Sequence, residues 1–269
     1  SVPPVRVTTV AAMKNSGTSS NQIADLVTVS CTGFHAPGVD IGLIDRLSLK
    51  RDVTRTHIGY MGCHGALNGL RIASALSRAH TGSKVLVCCV ELCSLHHQYD
   101  ADAQQMVANA LFSDGAAAVV GCSSDNNSAP WQLIDQFSCV LPDTTDLMSW
   151  RIGDHGFVMR LSPHVPHVIE QTLRPWLAEH LSRHSLHVDD IRSWAIPPGG
   201  PRILTSCADS LGIDHAFLEP SRRVLADFGN MSSPTVLFII DELRARADSL
   251  PCVALAFGPG LTIEAALLR

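Results

Sequence analysis

Gly59-Tyr-Met-Gly-Cys63-His-Gly-Ala-Leu-Asn-Gly-Leu70 puts a cysteine in a glycine-flanked turn at the start of a helical run. Unpaired N–H groups and the positive end of a helix dipole favour thiolate, so Cys63 is expected to attack a thioester at neutral pH. Taken alone, it serves equally well as a small apolar plug where a strand turns into a helix. The helix is expected over Cys63 to Ala79.

Around this stretch, short apolar runs alternate with longer amphipathic ones, the pattern of an α/β protein with buried strands. Strands are expected at Leu26 to Cys31, Lys84 to Val90, Ala116 to Gly121, Trp131 to Cys139, Phe157 to Leu161, Ile191 to Ile196 and Cys252 to Phe257. Further helices are expected at Pro166 to Arg183 and Ser232 to Ala247, the latter with Val236, Leu237, Ile240 and Leu243 at helical spacing. The polar run Ser123 to Pro130 divides the chain into a first half, 1–124, carrying Cys63, and a second, 125–269. Ser1 to Ile23 has little periodic apolar content and is expected to be irregular, with one short strand near Val5 to Val10.

The 269 residues are 46% apolar, enough for a large core, and only 17% are charged, with a net charge of -5 and no run of Lys or Arg. Nucleic acids and anionic membranes are therefore poor partners. No apolar stretch approaches the roughly 18 residues of a membrane span, and no secretory signal is visible, so a soluble cytoplasmic protein is expected. The nine cysteines lie mostly inside apolar runs such as Val85 to Val90, as buried reduced thiols do. No pair has zinc-site spacing and the histidines are scattered, so no metal is expected.

Two more stretches carry chemistry. Ser193-Trp-Ala-Ile-Pro197-Pro-Gly-Gly-Pro201 ends a strand in a loop that opens a helix at about Arg202. In Asp227-Phe-Gly-Asn230-Met-Ser-Ser-Pro-Thr235, Ser232 or Ser233 suits the N-cap of the following helix, while Asn230 suits an amide N–H aimed at a developing oxyanion.

Together with Val29-Ser-Cys-Thr-Gly-Phe-His-Ala-Pro-Gly-Val-Asp40, Ala110-Leu-Phe112-Ser-Asp-Gly and Phe257-Gly-Pro-Gly260, these stretches resemble type III polyketide synthases, the chalcone and stilbene synthase family, from about Leu26 to Leu268. The likeness is to the bacterial type. It implies a thiolase-like layered αβαβα fold of two related halves, the first incomplete, assembled as a homodimer. By the same resemblance Cys63 carries the acyl chain, Asn230 polarises the malonyl thioester, and Phe112 is a gatekeeper with Met159 at the second gatekeeper position. Thr32 and Cys93 match cavity-lining positions, and Gly258, Pro259 and Gly260 match the glycine-rich cavity floor. The implied substrates are acyl-CoA and malonyl-CoA, with no separate cofactor.

Two departures qualify the resemblance. Where the family carries a histidine before Pro198-Gly-Gly-Pro201, this chain has Pro197, which offers no side-chain donor or acceptor. The family also has further elements before the segment matching Leu26. An acyltransferase impaired in condensation is expected, the alternative being an inactive relative that binds acyl groups or a partner subunit. His64 and His35 stand near the relevant stretches, and nothing in the sequence assigns either the missing role.

Overall fold

Strand Lys84–Glu91 sends Val85, Val87 and Cys89 to one core and Leu86 and Cys88 to another. Cys252–Gly258 behaves likewise: Ala254 and Ala256 share the first of these cores, and Val253, Leu255 and Phe257 enter a third. Because successive strand side chains point to opposite faces, two strands buried on both sides require three apolar layers.

The computed structural model describes residues 3–99, 102–123 and 131–269. In chain order its elements are α1 (Pro3–Asn15), β1 (Ile23–Ser30), α2 (Val39–Leu47), β2 (Thr54–Gly59), α3 (Gly65–Ala79), β3 (Lys84–Glu91), α4 (Ala103–Leu111), β4 (Gly115–Cys122), β5 (Leu133–Val140), β6 (Met148–Gly153), β7 (Gly156–Leu161), α5 (Val165–Ser182), β8 (Ser193–Ala195), α6 (Pro201–Leu211), α7 (Glu219–Phe228), α8 (Thr235–Arg244), β9 (Cys252–Gly258) and β10 (Thr262–Leu268). One sheet has the order β2-β1-β3-β4, a second has β5-β10-β9-β8, and β6 and β7 form a separate hairpin. α3 and α8 lie between the sheets, α1 and α2 cover the outside of the first, and α5 and α6 cover the outside of the second.

The two halves repeat one plan. β1 runs parallel to β3, which is antiparallel to β4. β8 runs parallel to β9, which is antiparallel to β10. In each half a central helix leads into the inner strand, α3 into β3 and α8 into β9, so the turns before these helices, which hold Cys63 and Asn230, meet between the sheets. Close approach makes this possible: a Cβ on Gly65 would lie 2.8 Å from Val29 Cγ1, and one on Gly69 would lie 3.0 Å from Val29 Cγ2.

The expected strands and helices recur with boundary shifts of a few residues, and a 3-10 turn, Gly62–His64, precedes α3. The start of the chain differs from expectation. Residues 3–15 are helix α1 rather than irregular chain with a strand at Val5 to Val10, and the helix is held by packing on β4, with Met13 buried. Its Val and Thr residues favour strand locally, and tertiary contact overrides that preference. Of the expected loop Ser123 to Pro130, residues 124–130 lie outside the described residues.

Candidate active site

Cys63 is presented by a tightly constrained turn. Gly62 has φ +70°, and a Cβ there would lie 2.9 Å from Pro259 Cδ. Tyr60, with φ 62°, and Ser232, with φ 59°, are non-glycine residues in the left-handed region, one in each of the two central turns. Such conformations persist only where surroundings enforce them.

Asn230 is fully buried and sits 3.9 Å (Oδ1) and 4.0 Å (Nδ2) from the Cys63 sulfur. Its Oδ1 already accepts from Ser232 N–H at 2.8 Å and from the Thr235 hydroxyl at 3.3 Å. The amide is thereby oriented, leaving Nδ2 as the donor available beside the sulfur. Its backbone bridges to the Phe112 segment, donating to Leu111 O and accepting from Ser113 N–H, each at 2.9 Å. The N-capping expected of Ser232 or Ser233 is not found: the α8 N-cap is Pro234, and the Ser233 hydroxyl instead donates to Glu91 at 2.6 Å.

Two chambers meet at Cys63. The larger, about 180 Å³, is bounded by Thr32, Cys93, Phe112, Met159 and Pro259, with Cys31, Trp150 and His96. The smaller, about 30 Å³, lies between Cys63, Phe112, Met159, Pro197, Asn230 and Phe257. Phe112 and Met159 wall both chambers, and the remaining lining of the second is almost wholly apolar. Of the glycine-turn residues only Pro259 reaches a chamber, whereas the open face of Gly258 is filled by His64. Gly260 lines neither chamber.

Neither candidate histidine replaces the missing one. His64 is buried away from both chambers, with Nδ1 2.7 Å from Asn68 Oδ1, and burial lowers its pKa. His35 is exposed, with Nδ1 2.7 Å from Pro37 O.

Glu91, which sequence reasoning passed over, ends β3 fully buried beside the larger chamber. It accepts from Thr32 Oγ1 at 2.7 Å, Cys31 N–H at 3.0 Å and Thr32 N–H at 3.1 Å. Burial raises its pKa above the ordinary carboxylate value. A lone acid closing an apolar strand looks like a solvated strand end; the signal was the apolar Leu92-Cys93 that follows it in place of turn residues.

The expected thiolate at Cys63 is corrected. Burial, with a smaller contribution from the Glu91 charge, pushes its pKa up to about 11, although hydrogen bonds from Ser232 and Asn230 act to lower it. Desolvation here outweighs the helix terminus. Below that value each pH unit multiplies the thiolate fraction by about ten, so alkylation of Cys63 by iodoacetamide is expected to accelerate about tenfold per unit between pH 7 and 10. A plateau already reached at pH 8 in peptide-resolved mass spectrometry contradicts this.

Among the described residues no cluster of three or more His, Cys, Asp or Glu side chains is placed to hold a metal, and no helix is long and apolar enough to cross a membrane. The sequence matches two family models, the N-terminal domain of chalcone and stilbene synthases over residues 5–125 and their C-terminal domain over residues 132–269. The chain belongs to the chalcone and stilbene synthase family. The likeness thus begins at residue 5, earlier than the motifs from Leu26 onward indicate. It is 37% identical over 254 residues to the "alpha-pyrone synthesis polyketide synthase-like Pks18" of Mycobacterium tuberculosis, covering 91% of this chain and 65% of that protein. It is 37% identical over 264 residues to 1,3,6,8-tetrahydroxynaphthalene synthase of Streptomyces peucetius, covering 96% of this chain and 70% of the relative. The chain therefore spans about two thirds of the length of these relatives. The crystal structure of PKS-I from the brown alga Ectocarpus siliculosus superposes with a TM-score of 0.96 at 34% identity, covering 100% of this chain and 74% of that one. The fold is the thiolase-like αβαβα arrangement of this family.

Proposed function

We propose that the chain is a type III polyketide synthase-like acyltransferase. Cys63 takes a starter acyl group from a coenzyme A thioester, and decarboxylative condensation with malonyl-CoA extends it. The carrying observation is the convergence of the Cys63 sulfur and the oriented Asn230 amide, 4.0 Å apart, at the junction of two chambers. In loading, the sulfur attacks the thioester carbonyl, the tetrahedral oxyanion forms, and the coenzyme A thiolate departs. In extension, Asn230 Nδ2 donates to the enolate oxygen that appears as malonyl-CoA loses carbon dioxide. Phe112 and Met159 divide substrate entry from product space, and Thr32, Cys93 and Pro259 shape the latter.

Pro197 occupies the chamber wall where a second donor would stand, so condensation is the weakened step and loading the more robust one. A homodimer is supported by Phe34, 80% exposed in the segment that resembles the one crossing the family's dimer. Nine free thiols suit a reducing compartment such as the cytoplasm.

Pro197 also favours a second reading, a non-catalytic acyl-binding or partner subunit. Incubation with a starter acyl-CoA and radiolabelled malonyl-CoA separates the two. Slow formation of an extended, pyrone-type product is expected, and complete absence of extension on an acylated protein supports the second reading.

A further inference from the structure

The β6–β7 hairpin belongs to neither main sheet, yet it supplies Trp150 and Met159 to the larger chamber. These two are register partners across the hairpin and share one of its faces. Phe157, diagonal to Trp150 on that face, stacks on it with ring centroids 5.3 Å apart and planes at 18°. A two-stranded hairpin is marginally stable by itself, so the position of this chamber wall depends on what ties it to the rest of the molecule.

His96, which also borders the larger chamber, is such a tie. It ends the 3-10 turn Cys93–His96 that follows β3. Its ring lies edge-on to both Trp150 and Phe157, with centroids 5.1 Å away in each case. A Cβ on Gly156, where φ is +120°, would come within 3.0 Å of His96 Nδ1, so the bare backbone of the hairpin turn is what lets the ring approach.

The two ring nitrogens have opposite, fixed roles. Phe157 N lies 3.0 Å from Nδ1, and a backbone N–H only donates. Thr32 O lies 2.7 Å from Nε2, and a carbonyl only accepts. The imidazole is therefore the neutral tautomer with its proton on Nε2, and it bridges β7 to the segment after β1. Trp150 Nε1 donates to Cys31 O at 2.9 Å and anchors the other strand of the hairpin to the same segment.

We propose that His96 is a positioning residue for acyl-chain selection. Its Nδ1 clamps the β6–β7 hairpin, and the clamp fixes how far Trp150 and Met159 reach into the larger chamber. This rests on Cys63 being the acyl acceptor, since the chain carried there is what fills the chamber. Clamped, the wall stops a short acyl chain. Released, it yields outward and admits a longer one.

A clamp and mere bulk in the chamber wall predict opposite variants. As bulk, His96 is replaced well by Gln, which is nearer to it in size, and poorly by Asn. As a clamp the order reverses. Asn places its Oδ1 where Nδ1 stands and keeps an acceptor for Phe157 N–H, whereas Gln places its Nε2 at the ring Nε2 and leaves that N–H without one.

The experiment measures single-turnover acylation of Cys63 by hexanoyl-CoA and by dodecanoyl-CoA for the wild type, His96→Asn and His96→Gln, together with amide exchange of Phe157 in protein labelled with 15N-phenylalanine. In His96→Gln the ratio of dodecanoyl to hexanoyl loading is expected to rise about tenfold and Phe157 exchange to quicken about tenfold, the scale of one net hydrogen bond. In His96→Asn both are expected within about threefold of wild type. Equal behaviour of the two variants, or a shift in His96→Asn with His96→Gln like the wild type, overturns the clamp. Should the variants misfold, the 15N spectrum of the wild-type His96 ring decides: a bare Nδ1 and a protonated Nε2 are expected, and the reverse tautomer overturns the clamp. A wild type that never acylates refutes the proposed function itself, while Phe157 exchange and the ring tautomer still test the clamp.

Discussion

Histidine in place of Pro197 is expected to raise malonyl-CoA decarboxylation by about 100- to 1,000-fold. The chamber shared by Cys63, Pro197 and Asn230 is otherwise walled by Gly199 and by the apolar side chains of Phe112, Met148, Met159, Leu161, Val165, Ile203 and Phe257. An enolate oxygen formed there has the Asn230 amide as its side-chain donor, and proline adds none. In so apolar a space a second preorganised donor has little competition from water, which is why one such group is worth about 3 to 4 kcal/mol. Position 197 lies two residues beyond the end of strand β8 and is buried against the chamber, so an imidazole there is anchored by that short strand. The substitution carries an independent readout. An imidazolium beside the sulfur favours thiolate, so Cys63 alkylation is expected to shift to lower pH in the same variant. A folded Pro197→His protein with unchanged decarboxylation and an unchanged alkylation profile contradicts the assignment of this chamber.

The second large effect concerns stability. Arg71→Met is expected to cost about 3 kcal/mol, the lower end of what breaking a buried ion pair costs, because the Arg71 side chain is 37% exposed while that of Glu264 is 3% exposed. Glu264 sits on β10 and is paired with Arg71 of α3. It also accepts from Ser138 at 2.7 Å and Asn68 at 3.1 Å, and Asn68 in turn holds His64 at 2.7 Å. The variant leaves a buried carboxylate with only neutral donors. Adding Glu264→Gln removes the stranded charge and should recover much of the loss. Urea denaturation of the single and double variants checks this, and a single-variant loss under about 1 kcal/mol is the contrary result. The same network anchors the residue next to Cys63, so it ties the central helix to the second sheet behind the reactive sulfur.

Strands such as β3 and β9 were legible because they are buried on both faces and read as continuous apolar runs. β10 is equally buried, yet the acidic Glu264 at its centre hides it until its partner Arg71 is seen. β2, with its first four residues exposed, offers no apolar pattern at all. That Cys63, Asn230, Phe112, Met159 and Pro197 belong to one site was implied by the resemblance to the family, matched residue by residue, and not by any pattern in the residues alone; all five line the smaller chamber. The protonation state of Cys63 did not follow. A sequence shows the helix terminus that favours thiolate but not the enclosure that opposes it, and enclosure dominates.

The central claim is that Cys63 is an acyl acceptor, and mass spectrometry of the protein after incubation with an acyl-CoA tests it most directly. A single added acyl group, mapped to the peptide containing Cys63 and absent from Cys63→Ser, is the predicted result. An unmodified protein, or an adduct on another cysteine that persists in Cys63→Ser, would contradict it.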